Sequence, residues 1–282
     1  MHFPKYWTTA RHKNLTAWGW SDQNLAEAAG RAAERLLRIR DWLARGGRPT
    51  LQQRYGYSDA RPMREEVLRE FHAPDGTLCA AVTRNSHGCL VLNTADLMFV
   101  DVDLAAPTPT GWRERWFGVR REERERQAEA FYLGMKERVN AWVARWQGWG
   151  WRVYRTAAGM RLLATHQPFT SDHAMCQTAF DVFEADPLYR KLCATQKSFR
   201  ARLTPKPWRC DVNKPRGRWP WGNEEAEARF RKWEAQYNKA AARYATCKLV
   251  GQFGNGEFHP SLRELIELHD NFTQIGNDLR LA

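Results

Sequence analysis

Asp101 and Asp103 stand two residues apart at the end of the apolar run Leu97-Met98-Phe99-Val100. Side chains alternate across a strand, so in extended backbone both carboxylates point one way while Met98, Val100 and Val102 point the other. Strand rise puts the two acids about 7 Å apart at their α-carbons. Such a platform suits Mg²⁺ or Mn²⁺, which take oxygen ligands and favour carboxylates together with substrate phosphates. The structural alternative has Asp103 capping the next loop and Asp101 in a salt bridge. Asp-x-Asp is short and common, so the surrounding elements decide between the two.

Those elements follow from periodicity and turn residues. Leu25, Ala29, Ala32, Leu36, Ile39 and Leu43 recur at helical spacing within 21–44, and Gly46-Gly47 supplies a stop. Residues 48–63 read as a polar loop. Strands are predicted over 67–71, 78–83, 89–93 and 97–104, with turns at Pro74-Asp75-Gly76 and Asn85-Ser86-His87-Gly88. A Pro/Thr loop, 105–110, precedes a long helix over 120–146, whose apolar stripe includes Met135, Val139, Trp142 and Trp146. The spacing then predicts strands over 151–156 and 160–165, joined by Ala157-Ala158-Gly159, and a helical region over 171–196 that breaks near Asp186-Pro187. A strand over 198–204 with alternating arginines follows, then a basic Pro/Trp loop to Trp221. A helix over 223–245, a short strand over 248–253 and a last helix over 260–269 complete the chain.

The order from Leu97 to Lys206 is strand, helix, strand, hairpin, strand, helix, strand, which predicts an α+β fold built on a ferredoxin/RRM-like β-α-β-β-α-β layer. Residues 1–96 then form an N-terminal strand and helix extension, 97–206 a palm-like core, and 207–282 the basic loop with C-terminal helices. In that layout the first strand is central. Parity groups Arg161 with Leu163 and Thr165, and Arg200 with Arg202 and Thr204. Two acids and three arginines are thereby expected on one face, the logic of a nucleoside triphosphate site.

The motifs in this order resemble those of the archaeo-eukaryotic primase superfamily, the catalytic core of primase-polymerases. The resemblance rests on Phe99-Val100-Asp101-Val102-Asp103, on the hairpin Thr156-Ala157-Ala158-Gly159-Met160-Arg161, and on Arg202-Leu203-Thr204-Pro205-Lys206. It spans 97–206. It implies a metal-dependent nucleotidyltransferase with Asp101 and Asp103 as catalytic acids and ligands of Mg²⁺ or Mn²⁺. It also implies phosphate contacts from Arg161, Arg200, Arg202 and Lys206. The chain departs from the family in placing Arg161 where the hairpin motif has a histidine. The family's third acid is open among Asp181, Asp186 and Asp211. A catalytically inactive nucleotide- or nucleic-acid-binding protein on the same scaffold is the alternative, and metal-dependent phosphodiester cleavage uses the same acid pairing.

Composition fits these readings. Lys plus Arg number 44 against 32 Asp plus Glu, a formal charge of +12 that favours polyanion partners. Fourteen tryptophans, several beside Arg or Lys, offer stacking surfaces for bases, with core packing as the alternative. The loop 205–221 is the best single-strand contact candidate, or a brace over the sheet. Six cysteines form no C-x-x-C pair and read as buried thiols. No run is long enough to span a bilayer and the N-terminus lacks a signal-peptide pattern, so a cytoplasmic protein is expected. His166 is expected to pack, and His269 to sit at a helix C-terminus.

Overall fold

The computed structural model of the chain describes residues 1–48, 61–105 and 121–282. The expected loops over 48–63 and 105–110 fall largely or wholly outside those residues. The fold is mixed α+β, with several antiparallel sheets and six helices among the described residues.

The chain opens with a hairpin, β1 (Tyr6–His12) and β2 (Leu15–Ser21), on which α1 (Leu25–Ala44) lies. Asn24 caps this helix by accepting the Glu27 N–H, as expected of an amide at that position. The polar-aromatic alternation of this hairpin carries no Gly-containing turn dipeptide, and Lys13 supplies the left-handed turn.

Two four-stranded sheets form the body. One has the order β3 (Glu66–His72), β4 (Leu78–Arg84), β5 (Leu90–Thr94), β9 (Phe199–Arg202). The other has the order β11 (Cys247–Gly254), β7 (Gly150–Thr156), β8 (Gly159–Ala164), β6 (Phe99–Asp103). All pairings within both are antiparallel. The long helix α2 (Arg121–Arg145) connects β6 to β7, and β8 lies between them, so these three strands have the split β-α-β order. The last strand of the expected layer pairs with β5, Val91 opposite Arg202. β6 is therefore the edge of its sheet and not a central strand.

That edge is not left bare. In β6 the odd-numbered residues turn their backbone groups outward, and the Asp101 carbonyl accepts the Asp186 N–H at 3.1 Å. The Phe99 carbonyl accepts the Tyr189 hydroxyl at 3.1 Å. Tyr189 belongs to α4 (Pro187–Gln196), separated from α3 (Ala174–Val182) by the expected break. Asp186 caps α4 by accepting the Tyr189 N–H, and Pro187 occupies the first helical position, where its missing N–H costs nothing.

One face of the β6 sheet packs on α2 and α3: Trp142 meets Trp151 and Phe183, and Cys176 contacts Met98. The other face is covered by α6 (Arg263–Thr273), with His269 against Phe99 and Tyr154. A further helix, α5 (Glu224–Ala241), stops short of the expected end. Tyr244–Ala245 (β10) instead pairs in parallel with Arg280–Leu281 (β12). The cysteines are free, and all but Cys79 are buried.

Candidate functional site

Register brings Asp101, Arg161 and Tyr154 side by side across three strands on the α6 face. The Arg161 guanidinium grips Asp101 with two groups, Nε donating to Oδ1 at 2.7 Å and Nη2 to Oδ2 at 3.3 Å. Its Nη1 donates to the Arg202 carbonyl at 3.0 Å and lies 3.2 Å from His269 Nε2. Arg161 is 2% exposed, so it faces Asp101 and the interior instead of the open phosphate side expected of it. Burial alone would lower its pKa, but Asp101 and the Cys247 thiol outweigh it and the net shift is upward. This guanidinium stays charged.

Behind Arg161 the network continues into α6. His269 is fully buried, and its Nδ1 lies 3.1 Å from Asp270 Oδ1. Asp270 also accepts the Tyr154 hydroxyl at 2.6 Å and Arg152 Nε at 2.8 Å. Burial lowers the His269 pKa despite its carboxylate neighbour. Asp270 is held below the usual aspartate range because the bonds from His269 and Tyr154 overcome its burial. The sequence placed His269 at a helix end; it lies on the buried face of that helix, reaching Arg161 across a separation no local pattern signals.

At the other end of β6 the environment opens. Asp103 is exposed at the sheet edge, and Gly159 lies opposite it. A Cβ on Gly159 would overlap the Val102 carbonyl oxygen, so glycine is what lets the hairpin approach β6 there. The Asp103 pKa is raised by partial burial, then by Asp186 and Asp101, with Lys206 and Arg202 opposing. Of the three candidates for a third acid, Asp186 is the one whose charge raises the Asp103 pKa. Asp181 pairs with Arg190 at 2.7 Å, and Asp211 accepts the Tyr244 hydroxyl.

Facing Asp103 are Arg202 at the end of β9 and the turn that follows. Lys206 is lowered in pKa by burial, Arg202 and Arg209, with Asp103 opposing. Arg209 is lowered by burial and Arg202, again opposed by Asp103. Arg202 Nε is a buried donor without a hydrogen-bond partner among the described residues. Such a charged donor is available to a ligand oxygen or to water. Beyond this cluster, Trp208 is 43% exposed, with Lys206 Nζ 5.6 Å and Lys214 Nζ 4.6 Å from its ring centroid. His87 meets the same ring edge-on, and its pKa is lowered by burial and by Lys214, Lys206 and Arg202.

Arg200 is drawn elsewhere. Its Nη2 donates to both oxygens of Glu65 at 2.7 and 2.9 Å, which ties β9 to the approach of β3. His166 packs on Trp149 as expected, with ring centroids 4.4 Å apart.

The donor set suits a hard divalent ion in the manner of Mg²⁺, which uses one or two carboxylates plus substrate phosphates and not a dedicated protein cage. Asp103 makes no ion pair or hydrogen bond with the described residues, and each Asp101 oxygen keeps a second acceptor direction beyond Arg161. Among the described residues no three His, Cys, Asp or Glu side chains converge as a ready-made cage. No helix among them is long and apolar enough to cross a membrane. No family model matches the chain, nor does any curated protein or solved structure.

Proposed function

We propose that the protein is a metal-dependent nucleotidyltransferase of primase-polymerase type that uses nucleoside triphosphates and acts on nucleic acid. The observation that carries this reading is the pair Asp101 and Asp103 on one strand, with Arg202, Lys206 and Arg209 close enough for their charges to oppose that of Asp103. Asp101 and Asp103 would hold Mg²⁺ or Mn²⁺. The bound ion would supply charge neutralisation at the α-phosphate and acidify the attacking 3′-hydroxyl.

The rest falls to the chain's own groups. Arg202 Nε offers a charged donor that no described residue satisfies, and Lys206 and Arg209 offer two more cations for phosphate oxygens. Trp208, flanked by Lys206 and Lys214, supports the loop after β9 as the surface that meets a base or a strand. The β6-β8-β7 order supports a ferredoxin-like layer, with β9 linked to β6 through the Tyr189 hydroxyl.

A second reading, nucleotide binding without turnover, is favoured by the grip of Arg161 on both oxygens of Asp101. Labelled nucleoside triphosphates, primed and unprimed templates and Mn²⁺ separate the two. Lengthened products that disappear in Asp103→Asn support the transferase. Nucleotide binding that survives Asp101→Asn, needs no metal and yields no product supports the binder. Shortened strands would instead identify a phosphodiesterase.

A further inference from the structure

We propose that His269 is a positioning residue for Asp101, acting through Arg161 as a neutral imidazole that donates Nδ1–H to Asp270 and accepts from Arg161 at Nε2. The inference rests on the reading of Asp101 as a site acid only for its functional consequence; the hydrogen-bond assignment stands on geometry alone.

Donor and acceptor counting fixes the tautomer. Arg161 has only donors, so His269 Nε2, 3.2 Å from Nη1, must be the acceptor. The remaining ring proton then lies on Nδ1, where Asp270 Oδ1 stands 3.1 Å away. Asp270 is itself fixed by Tyr154 and Arg152, from the strand next to β8. Of the two Nη1 protons the Arg202 carbonyl takes the other at 3.0 Å, and Cys247 Sγ, at 3.8 Å from Nη1, is the more distant and weaker acceptor. With Nη1 held between the Arg202 carbonyl and the imidazole, the Nε and Nη2 edge can only face Asp101.

The arrangement has a chemical consequence. A buried guanidinium free to rotate would sample several poses, and Asp101 would follow it. Held from behind, Arg161 fixes the carboxylate plane and leaves an outer acceptor direction on each oxygen of a carboxylate that is part exposed. A positively charged neighbour normally competes with metal for a carboxylate. Here it acts as an orienting partner because it is itself immobilised. Outer partners of metal-binding carboxylates set affinity by roughly 10- to 100-fold in comparable sites.

The test uses the full chain and three variants. His269→Gln can accept from Arg161 through its amide oxygen and donate to Asp270 through its amide nitrogen. His269→Leu fills similar space and does neither. In Asp270→Asn, Arg152 holds the amide oxygen at the Oδ2 position, so the amide N–H faces Nδ1 and drives the ring proton onto Nε2, donor against donor. Nitrogen-15 NMR of the wild type is expected to show His269 as the neutral Nδ1–H tautomer. The Arg161 Nε–H resonance should be protected from solvent exchange in the wild type and His269→Gln, and lost in His269→Leu and Asp270→Asn. Mn²⁺ affinity, read by electron paramagnetic resonance, should fall about tenfold in the latter two and recover in His269→Gln.

An Nε2–H tautomer, or an Arg161 signal unchanged in folded His269→Leu and Asp270→Asn, overturns the proposal. Unchanged Mn²⁺ affinity in variants that have lost the Arg161 signal also overturns it. Should the wild type bind no Mn²⁺ while the tautomer and Arg161 signals are as expected, the metal reading of the site fails and the hydrogen-bond assignment is upheld.

Discussion

The backbone N–H of Asp186 donates to the carbonyl of Asp101 at 3.1 Å, across the edge of β6 that no described strand covers. This one bond sets the start of α4 beside the paired acids and brings a third carboxylate within range of Asp103. Burial, Asp186 and Asp101 raise the Asp103 pKa by more than Lys206 and Arg202 lower it.

Asp103→Asn should raise the thermal midpoint of the metal-free protein at pH 7. A carboxyl whose folded pKa lies above its unfolded value is penalised when ionised, because the native state binds the proton more tightly. The gain should be full above that raised pKa, shrink as pH falls through it, and vanish below the ordinary aspartate range. Thermal melts of both proteins from pH 3 to pH 7 measure it. A midpoint lowered at pH 7 would mean that Asp103 is held by a partner and not strained by its neighbours.

Arg161→Leu should destabilise the fold by about 3 kcal/mol or more, since removing one member of a buried pair strands the other. Asp101, the Arg202 carbonyl and His269 all lose their donor. Urea denaturation gives the value. A change under about 1 kcal/mol would place the pair among ordinary surface bridges.

Lys206→Gln and Arg209→Gln should each weaken triphosphate binding about tenfold, close to 1.4 kcal/mol, the scale of one hydrogen bond to a charged group. The effect should diminish with added salt, because these are phosphate contacts. Stability should hold or rise slightly, since both cations are crowded by Arg202. Calorimetric titration with a nucleoside triphosphate at two salt concentrations checks both expectations. Arg200→Gln is the contrast: its tie to Glu65 predicts lost stability with nucleotide affinity little changed.

Gly159→Ala should disrupt the β6–β8 pairing beside Asp103 and cost at least 1–3 kcal/mol, because the added methyl has only backbone to displace. Circular dichroism melts and triphosphate affinity should fall together. A neutral outcome would show that the hairpin has room to retreat from Val102.

Much of this fold was legible in the sequence. The strands around β3 to β9 and the break at Asp186-Pro187 follow from turn residues, apolar runs and proline, all local signals. Parity correctly set Asp101 with Arg161 on one face and Val100 with Leu162 on the other. What parity cannot give is what covers each face. Arg161 was expected toward solvent, yet α6, a hundred residues later in the chain, lies over it. The same limit applies to β9, whose alternating arginines fit either sheet. Pairing with β5 sends Arg200 to Glu65 and leaves Arg202 beside Asp103. Asp181, Asp186 and Asp211 have equal claims in the sequence, and the backbone bond that brings Asp186 to Asp101 joins segments no local signal connects.

Arg161 is bonded at once to a side chain of β6, a carbonyl of β9 and a ring of α6. Four segments distant in the chain therefore share one cation, and none can drift in sequence alone. A relative with a shorter residue at 161 would need a new partner for Asp101, another donor for the Arg202 carbonyl and a different residue at 269. Substitutions at 101, 161, 269 and 270 should then appear as a linked set across such relatives, a record of one constraint written in four places.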